Sequence, residues 1–358
     1  MRRGAIVRLV VLGVVLGLGA TAVAILIPWL PESASTQADD IDFVFWFVTV
    51  ICIAVFAVVA SIAVYSVIKF RAPPDDDADG LPIHGHTGIE IVWTVVPFLL
   101  VTAMGIVSAV ALARTEEIPD DAMVVNVVGR QFAWQFLYPP ENAPDPGEDE
   151  LECHTEAVRA RCVTSAQLHL PVDVPIHLRV RADDVIHSFW VPEFRQKQDL
   201  LPGQVRSLAI TPTRVGEYEV LCTELCGLGH STMRAAAIVT SQADFDRWKR
   251  EAGRQTRGGG DAGAAVFAQN GCGSCHALEE ANATGMTGPS LEELPQQARR
   301  AGKPLQAFVR ESIVQPDAYV EEGFTAGVMP KTYADLPEEQ IDALVQYLVR
   351  SSREGGSR

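Results

Sequence analysis

The chain has 358 residues, with 29 Lys+Arg against 45 Asp+Glu for a net charge of −16, yet its mean hydropathy is +0.13. The negative charge excludes a nucleic-acid binder, since a phosphate backbone is held by clustered Lys and Arg and no basic stripe occurs; 48% hydrophobic residues likewise exclude disorder along the whole chain. Acidity and apolar surplus therefore belong to different segments, which predicts membrane spans beside acidic soluble domains.

Three apolar runs without charge come first, Leu9–Leu30, Phe43–Ile68 and Ile91–Ala113. Each is long enough for a helix to cross the hydrocarbon core. Arg2, Arg3 and Arg8 before the first run, and Lys69 and Arg71 after the second, place those flanks in the cytoplasm by the positive-inside rule. Everything after about Arg114 then lies outside. Residues 1–30 read either as a signal peptide, from Gly19–Ala24, or as a first transmembrane helix. Residues 41–113 read as a transmembrane helical hairpin, its loop carrying Pro73, Pro74 and four aspartates from Asp75 to Asp79. Glu90 opens the third run, where the helix dipole favours a carboxylate.

From Met123 the pattern turns to short alternating segments, Met123–Val128, Ala166–Leu170, Ile176–Val180, Val205–Ile210 and Tyr218–Leu221, punctuated by Pro and Gly. These predict an antiparallel β-sandwich or barrel over residues 120–245. Within it, Cys222-Thr-Glu-Leu-Cys226-Gly-Leu-Gly-His230-Ser-Thr-Met233 gathers two thiols, an imidazole and a thioether, and His187 is available upstream. This soft donor set favours copper over zinc or the hard cations. A disulfide between Cys222 and Cys226 would close too small a loop to stabilise much, and zinc rarely takes Met.

The run Cys222–Met233, with His187-Ser188 and the preceding hairpin, resembles subunit II of the heme-copper cytochrome c oxidases over roughly residues 40–245. The resemblance implies a cupredoxin domain with the binuclear copper centre CuA: Cys222 and Cys226 bridging both ions, His187 and His230 binding one each, Met233 and the Glu224 carbonyl completing the spheres. It further implies that the Glu224 carboxylate faces a magnesium ion shared with subunit I, and that Glu90 marks the mouth of a proton pathway. Two departures stand out. In Gly129-Arg-Gln-Phe132-Ala-Trp134, Phe132 takes the place of the tryptophan that receives electrons from soluble cytochrome c, and Trp134 matches the neighbouring packing aromatic. Tyr138–Val163 is an acidic, Pro-rich insert whose Cys153 and Cys162 suit either a disulfide or a second metal site with His154.

Residues 246–260 read as a linker, with Arg254–Gly260 flexible by composition. Residues 261–350 then carry Cys272-Gly-Ser-Cys275-His276, the signature of covalent heme c, in which two thiols add to the vinyl groups and His ligates iron. A first helix at Gly263–Phe267, and Ile341, Leu344, Val345 and Leu348 at helical spacing, make this module all-α. It resembles a class I cytochrome c. Met329, before Pro330, is the expected sixth ligand, with Met286 as competitor.

The whole chain thus resembles subunit II of a caa-type terminal oxidase, a multi-domain, multi-pass protein of the bacterial plasma membrane with its copper and heme domains on the outer side. The resemblance implies a membrane-bound oxidoreductase subunit that passes electrons from heme c to CuA and on to subunit I, where oxygen is reduced and protons are pumped. Its implied partners are subunits I and III, membrane lipid, and a cytochrome c or bc complex as donor. Subunit II of a CuA-type nitric oxide reductase is the nearest alternative, and a copper-delivery protein the one from another class. Cys52, in the second apolar run, remains a lone thiol.

Overall fold

In lipid a helix satisfies its own backbone hydrogen bonds, so charge-free apolar runs have one stable form. The computed structural model describes residues 3–71, 84–140, 143, 146, 147, 150–153, 158, 161–256 and 261–355. It holds three helices long and apolar enough to span a membrane, α1 (Arg3–Leu26), α2 (Thr36–Lys69) and α3 (Thr87–Thr115). Most of their large side chains are exposed within the chain, as lipid or another subunit requires. Asp40 of α2 pairs with Arg114 of α3 at 3.2 Å. The loop with Pro73, Pro74 and the aspartates lies outside the described residues. This group of helices forms one unit, and the chain from Glu117 onward forms another.

The second unit begins with a two-sheet sandwich. Its strands are β1 (Met123–Arg130), β2 (Ala133–Tyr138), β3 (Val163–Ser165), β4 (Leu168–Pro171), β5 (Ile176–Ala182), β6 (His187–Trp190), β7 (Lys197–Leu200), β8 (Arg206–Ile210), β9 (Gly216–Cys222) and β10 (Arg234–Thr240). One sheet runs β3-β2-β1-β5-β8 and the other β4-β10-β9-β6-β7. The expected sandwich forms, but it is mixed: β1 pairs β5 and β4 pairs β10 in parallel, through long crossovers that alternation cannot reveal. Between the sheets lie Trp134, Phe136, Phe189, Phe194 and Leu200, each at most 1% exposed. Burying each such side chain stabilises the fold by about 1.5–3 kcal/mol.

The insert covers the outer face of the first sheet. Cys153 and Cys162 are disulfide-bonded and pack with Leu151 against Val128 and Leu137. Arg179 donates to Glu152 at 2.6 Å, and Glu152 also accepts from Asn126 at 2.5 Å, so each buried polar group has a partner. His154 lies outside the described residues.

Where a linker was expected from 246, helix α4 (Gln242–Thr256) continues instead. Phe245, Trp248 and Ala252 recur on one face and pack onto the sandwich core, so that core reaches past residue 245. The C-terminal module has its own core on α5 (Ala262–Gln269), α6 (Leu294–Arg300), α7 (Leu305–Val314) and α8 (Glu338–Gly355), through Phe267, Leu294, Phe308, Val309, Leu344 and Leu348. It is helical as expected, apart from a two-residue β-pairing between Ala277–Leu278 and Ala283–Thr284.

Candidate functional site

Strand register builds the first centre. β6 pairs with β9 so that Phe189 faces Cys222, which sets His187, at the start of β6, beside the end of β9. The loop after Cys222 then folds back. Cys222 Sγ lies 3.8 Å from His187 Nδ1, 3.9 Å from Cys226 Sγ and 3.3 Å from the Glu224 carbonyl oxygen. Cys226 Sγ lies 3.6 Å from His230 Nδ1 and 3.9 Å from Met233 Sδ. The two sulfurs are too far apart to be bonded. His187, Cys222 and Cys226 alone put three ligand atoms within 4.8 Å of one another. The six positions nominated from the sequence thus gather around the two thiols, His187 and the Glu224 carbonyl at Cys222, His230 and Met233 at Cys226.

The loop rests on Phe132. A Cβ on Gly229 would come within 2.5 Å of the Phe132 ring, so only glycine lets the backbone approach this closely. Phe132 is 5% exposed and Trp134 1%, so both aromatics are floor and wall of the site. Trp134 meets the His187 ring edge-on at 6.2 Å between centroids.

Charge around the site is arranged to free the donor atoms. His187 Nε2 sits 2.8 Å from Asp184 Oδ1, and Asp184 also accepts from the backbone N–H of Gln131 and of Val185, each at 2.7 Å. With Nε2–H donated to Asp184, Nδ1 is the ring nitrogen that faces the sulfurs, and it offers its lone pair to a metal that displaces its proton. Burial opposes a charge on His187, but hydrogen bonding to Asp184 and Cys222 and the negative charge of both together outweigh it and bring the imidazole up to about 9. Burial also opposes ionisation of Cys222. Hydrogen bonding from His187 and the local backbone overcomes that and lowers the thiol to about 6. Cys226 is pushed up to about 12 by burial and by its charged neighbour Cys222. One ready thiolate beside an oriented imidazole is a receptive site for a soft cation.

The second centre lies in the helical module. Cys272–Ser274 forms a short 3-10 turn after α5, and His276 follows. His276 Nδ1 donates to the Pro289 carbonyl at 2.8 Å, which leaves Nε2 as an acceptor. Burial holds this imidazole below its ordinary range, against that carbonyl, so it is neutral. A Cβ on Gly288 would lie 2.4 Å from the ring, so Gly288 also fixes the imidazole by close contact. Cys272, Cys275, His276 and Met329 border one largely apolar cavity with Phe308 and Leu344. Met286 does not border it and is 88% exposed. Two thiols, a neutral imidazole and a methionine around an apolar hollow fit a covalently held heme.

Comparison with known proteins agrees with both centres. The chain matches the family described as cytochrome C oxidase subunit II, periplasmic domain, over residues 123–241, its transmembrane domain over residues 21–110, and cytochrome c over residues 260–352. It is 34% identical over 275 residues to cytochrome c oxidase subunit 2 of Thermostichus vulcanus, an alignment covering 62% of this chain and 78% of that protein. The chain belongs to the cytochrome c oxidase subunit II family.

A second family member, cytochrome c oxidase subunit 2 of Alkalihalophilus pseudofirmus, is 29% identical over 318 residues, 84% of this chain and 82% of that one. The solved periplasmic domain of subunit II of cytochrome oxidase from Bradyrhizobium japonicum shares 26% identity over 38% of this chain and 96% of its own, with a TM-score of 0.31. The family implies copper in the periplasmic domain, heme in the cytochrome c domain and a subunit I as partner in an oxidoreductase. Its members are membrane proteins with an external domain, as the three spanning helices require.

Other nominated residues sit as follows. Glu90 Oε1 accepts from the backbone N–H of His86 at 2.9 Å and His86 Nδ1 accepts from Ile89, so Glu90 caps the start of α3. Glu224 offers its carbonyl to the copper loop, and its carboxylate belongs to an exposed residue. Two residues were not singled out beforehand. Asp184 stands three before His187, a spacing that announces a carboxylate–histidine pair. Gln131 gives no such signal: its side chain donates to the Cys226 carbonyl at 2.5 Å, across 95 residues of sequence.

Proposed function

We propose that this subunit is the electron conduit of a caa-type oxidase: a donor reduces heme c, heme c reduces CuA, and CuA feeds the hemes of subunit I, where oxygen is reduced to water and protons are pumped. When bound, the copper pair and the heme iron each take up and release single electrons. Cys222, Cys226, His187, His230, Met233 and the Glu224 carbonyl would hold the coppers. Cys272 and Cys275 would anchor the heme, and His276 and Met329 would be the ligands of its iron. The observation that carries this reading is the convergence of the six copper donors at the end of β9, within a rigid sandwich that limits rearrangement when an electron arrives.

Leu225 and Leu228, 78% and 80% exposed in the same loop, support subunit I as the surface that covers it. The Glu224 carboxylate would be a ligand for magnesium at that junction, and Glu90 would open a proton path on the opposite side of the membrane. Subunit III, lipid, and a cytochrome c or bc complex as donor complete the setting, in a bacterial plasma membrane. The test is metal analysis with electron paramagnetic resonance on the full chain. Two coppers per heme with a mixed-valence signal are expected; a single copper, or zinc, overturns the reading.

A further inference from the structure

The helical module touches the copper domain at each of its three heme-bearing loops. Ser274, inside the Cys-x-x-Cys-His motif, donates from Oγ to the Trp134 carbonyl at 2.8 Å. Thr287, next to the Gly288 and Pro289 that fix His276, donates to the Thr232 carbonyl at 3.3 Å. Val328, next to Met329, packs onto the core of the copper domain. Beside these, Gln135 donates to the Gln269 carbonyl at 3.0 Å and Gln167 to Thr284 at 3.0 Å.

The cavity that fits heme is itself shared. Arg130, Gln131, Ala133 and Trp134 border it together with Cys275 and His276. The same short turn reaches the copper loop from its other side: Gln131 bonds to Cys226 and Asp184, Phe132 supports Gly229, and the Trp134 ring meets His187. One turn, from the end of β1 into β2, is therefore wall to both centres. A module swinging freely on its tether has no need of contacts placed at all three heme loops.

With the cytochrome c module docked on the copper domain, we infer that Ser274 and Gln135 are positioning residues for transfer between heme and copper, and that the β1–β2 turn closes the heme cavity. This rests on the function proposed above. Each transfer moves one electron: the heme iron goes from ferrous to ferric, the copper pair gains that electron, and no bond or proton is exchanged. The docked module covers this turn of the copper domain, so a soluble donor delivers to heme and not to copper.

The test uses the full chain with both cofactors, comparing wild type with Ser274→Ala, Ser274→Thr and Ser274→Ala/Gln135→Ala. Amide hydrogen exchange over residues 131–137 and 269–276 reads docking, and photoreduction of the heme followed by copper absorbance reads transfer. In the double variant, exchange should rise in both segments and transfer should slow about tenfold, the scale set by losing one or two net hydrogen bonds from a docking equilibrium. Ser274→Thr, which keeps the hydroxyl, should leave both at their wild-type values, and heme spectrum and copper resonance should stay as in wild type throughout. Unchanged transfer in the double variant overturns the inference, whether or not exchange rises. If wild type itself carries no binuclear copper signal, or its copper never accepts an electron from heme, the proposed function fails instead.

Discussion

Met329 and Met286 illustrate what one residue's position decides. Both precede or approach a Pro, and sequence alone offers either as the sixth ligand. Met329 borders the cavity shared by Cys272, Cys275 and His276, and Met286 is exposed on the surface. Met329→Ala should therefore abolish the methionine–iron charge-transfer band of the oxidised protein, and Met286→Ala should leave it intact; the visible and near-infrared spectrum checks both. The reverse pattern would transfer the ligand role to Met286. The chemistry-bearing residues were legible because metal and heme impose types and spacings on a short stretch, as in Cys222–Met233 and Cys272–His276. Gln131 was not, because its contact with Cys226 exists only after two distant loops meet.

Helix α4 shows how an element is anchored and how pH acts on it. Trp248 stacks on His169 of β4 with ring centroids 3.9 Å apart and planes 12° from parallel. Burial holds His169 down at about 4, below its ordinary 6.5. Above about pH 6.5 the imidazole is neutral both folded and unfolded and stability does not depend on it; as pH falls from 6.5 toward 4, only the unfolded chain takes up the proton. Stability must then decline over that interval. Melting temperature against pH should fall more steeply in wild type than in His169→Phe, which keeps the stack and removes the titration; equal slopes would show that the stack carries no such penalty. The sequence hid this helix because its Arg- and Gln-rich end has the composition of a tether. The β2 strand was hidden for the opposite reason: it is buried on both faces from Trp134 to Tyr138, so it shows no alternation. Strands with one wet face, such as β9, announced themselves.

At the scale of the whole molecule, charge is distributed by compartment and by module. The spanning helices carry the apolar surplus, and the disulfide between Cys153 and Cys162 suits the oxidising side to which the chain after Arg114 is assigned. After Gly258 there are 14 acidic against 8 basic residues. Five of those cations are engaged in pairs: Arg300 with Glu321, Lys303 with Glu311, Arg310 with Glu338 and Asp342, Lys331 with Asp317, and Arg350 with Asp261. Glu280, Glu293, Glu322, Asp335 and Glu339 are exposed and in no ion pair among the described residues, so the net field of this module is negative. Such a field steers a basic donor toward the module and is screened by salt over about 10 Å at 0.1 M. The second-order rate of heme reduction by a basic soluble cytochrome should accordingly fall as ionic strength rises, while reduction by an acidic one should be slow and rise with salt. Stopped-flow traces on the full chain, followed at heme and copper wavelengths across a salt series, measure this directly. A rate flat in salt would show that surface charge has no part in choosing the donor. Copper reduced ahead of heme would show that the donor reaches the copper domain without passing through the module docked on it.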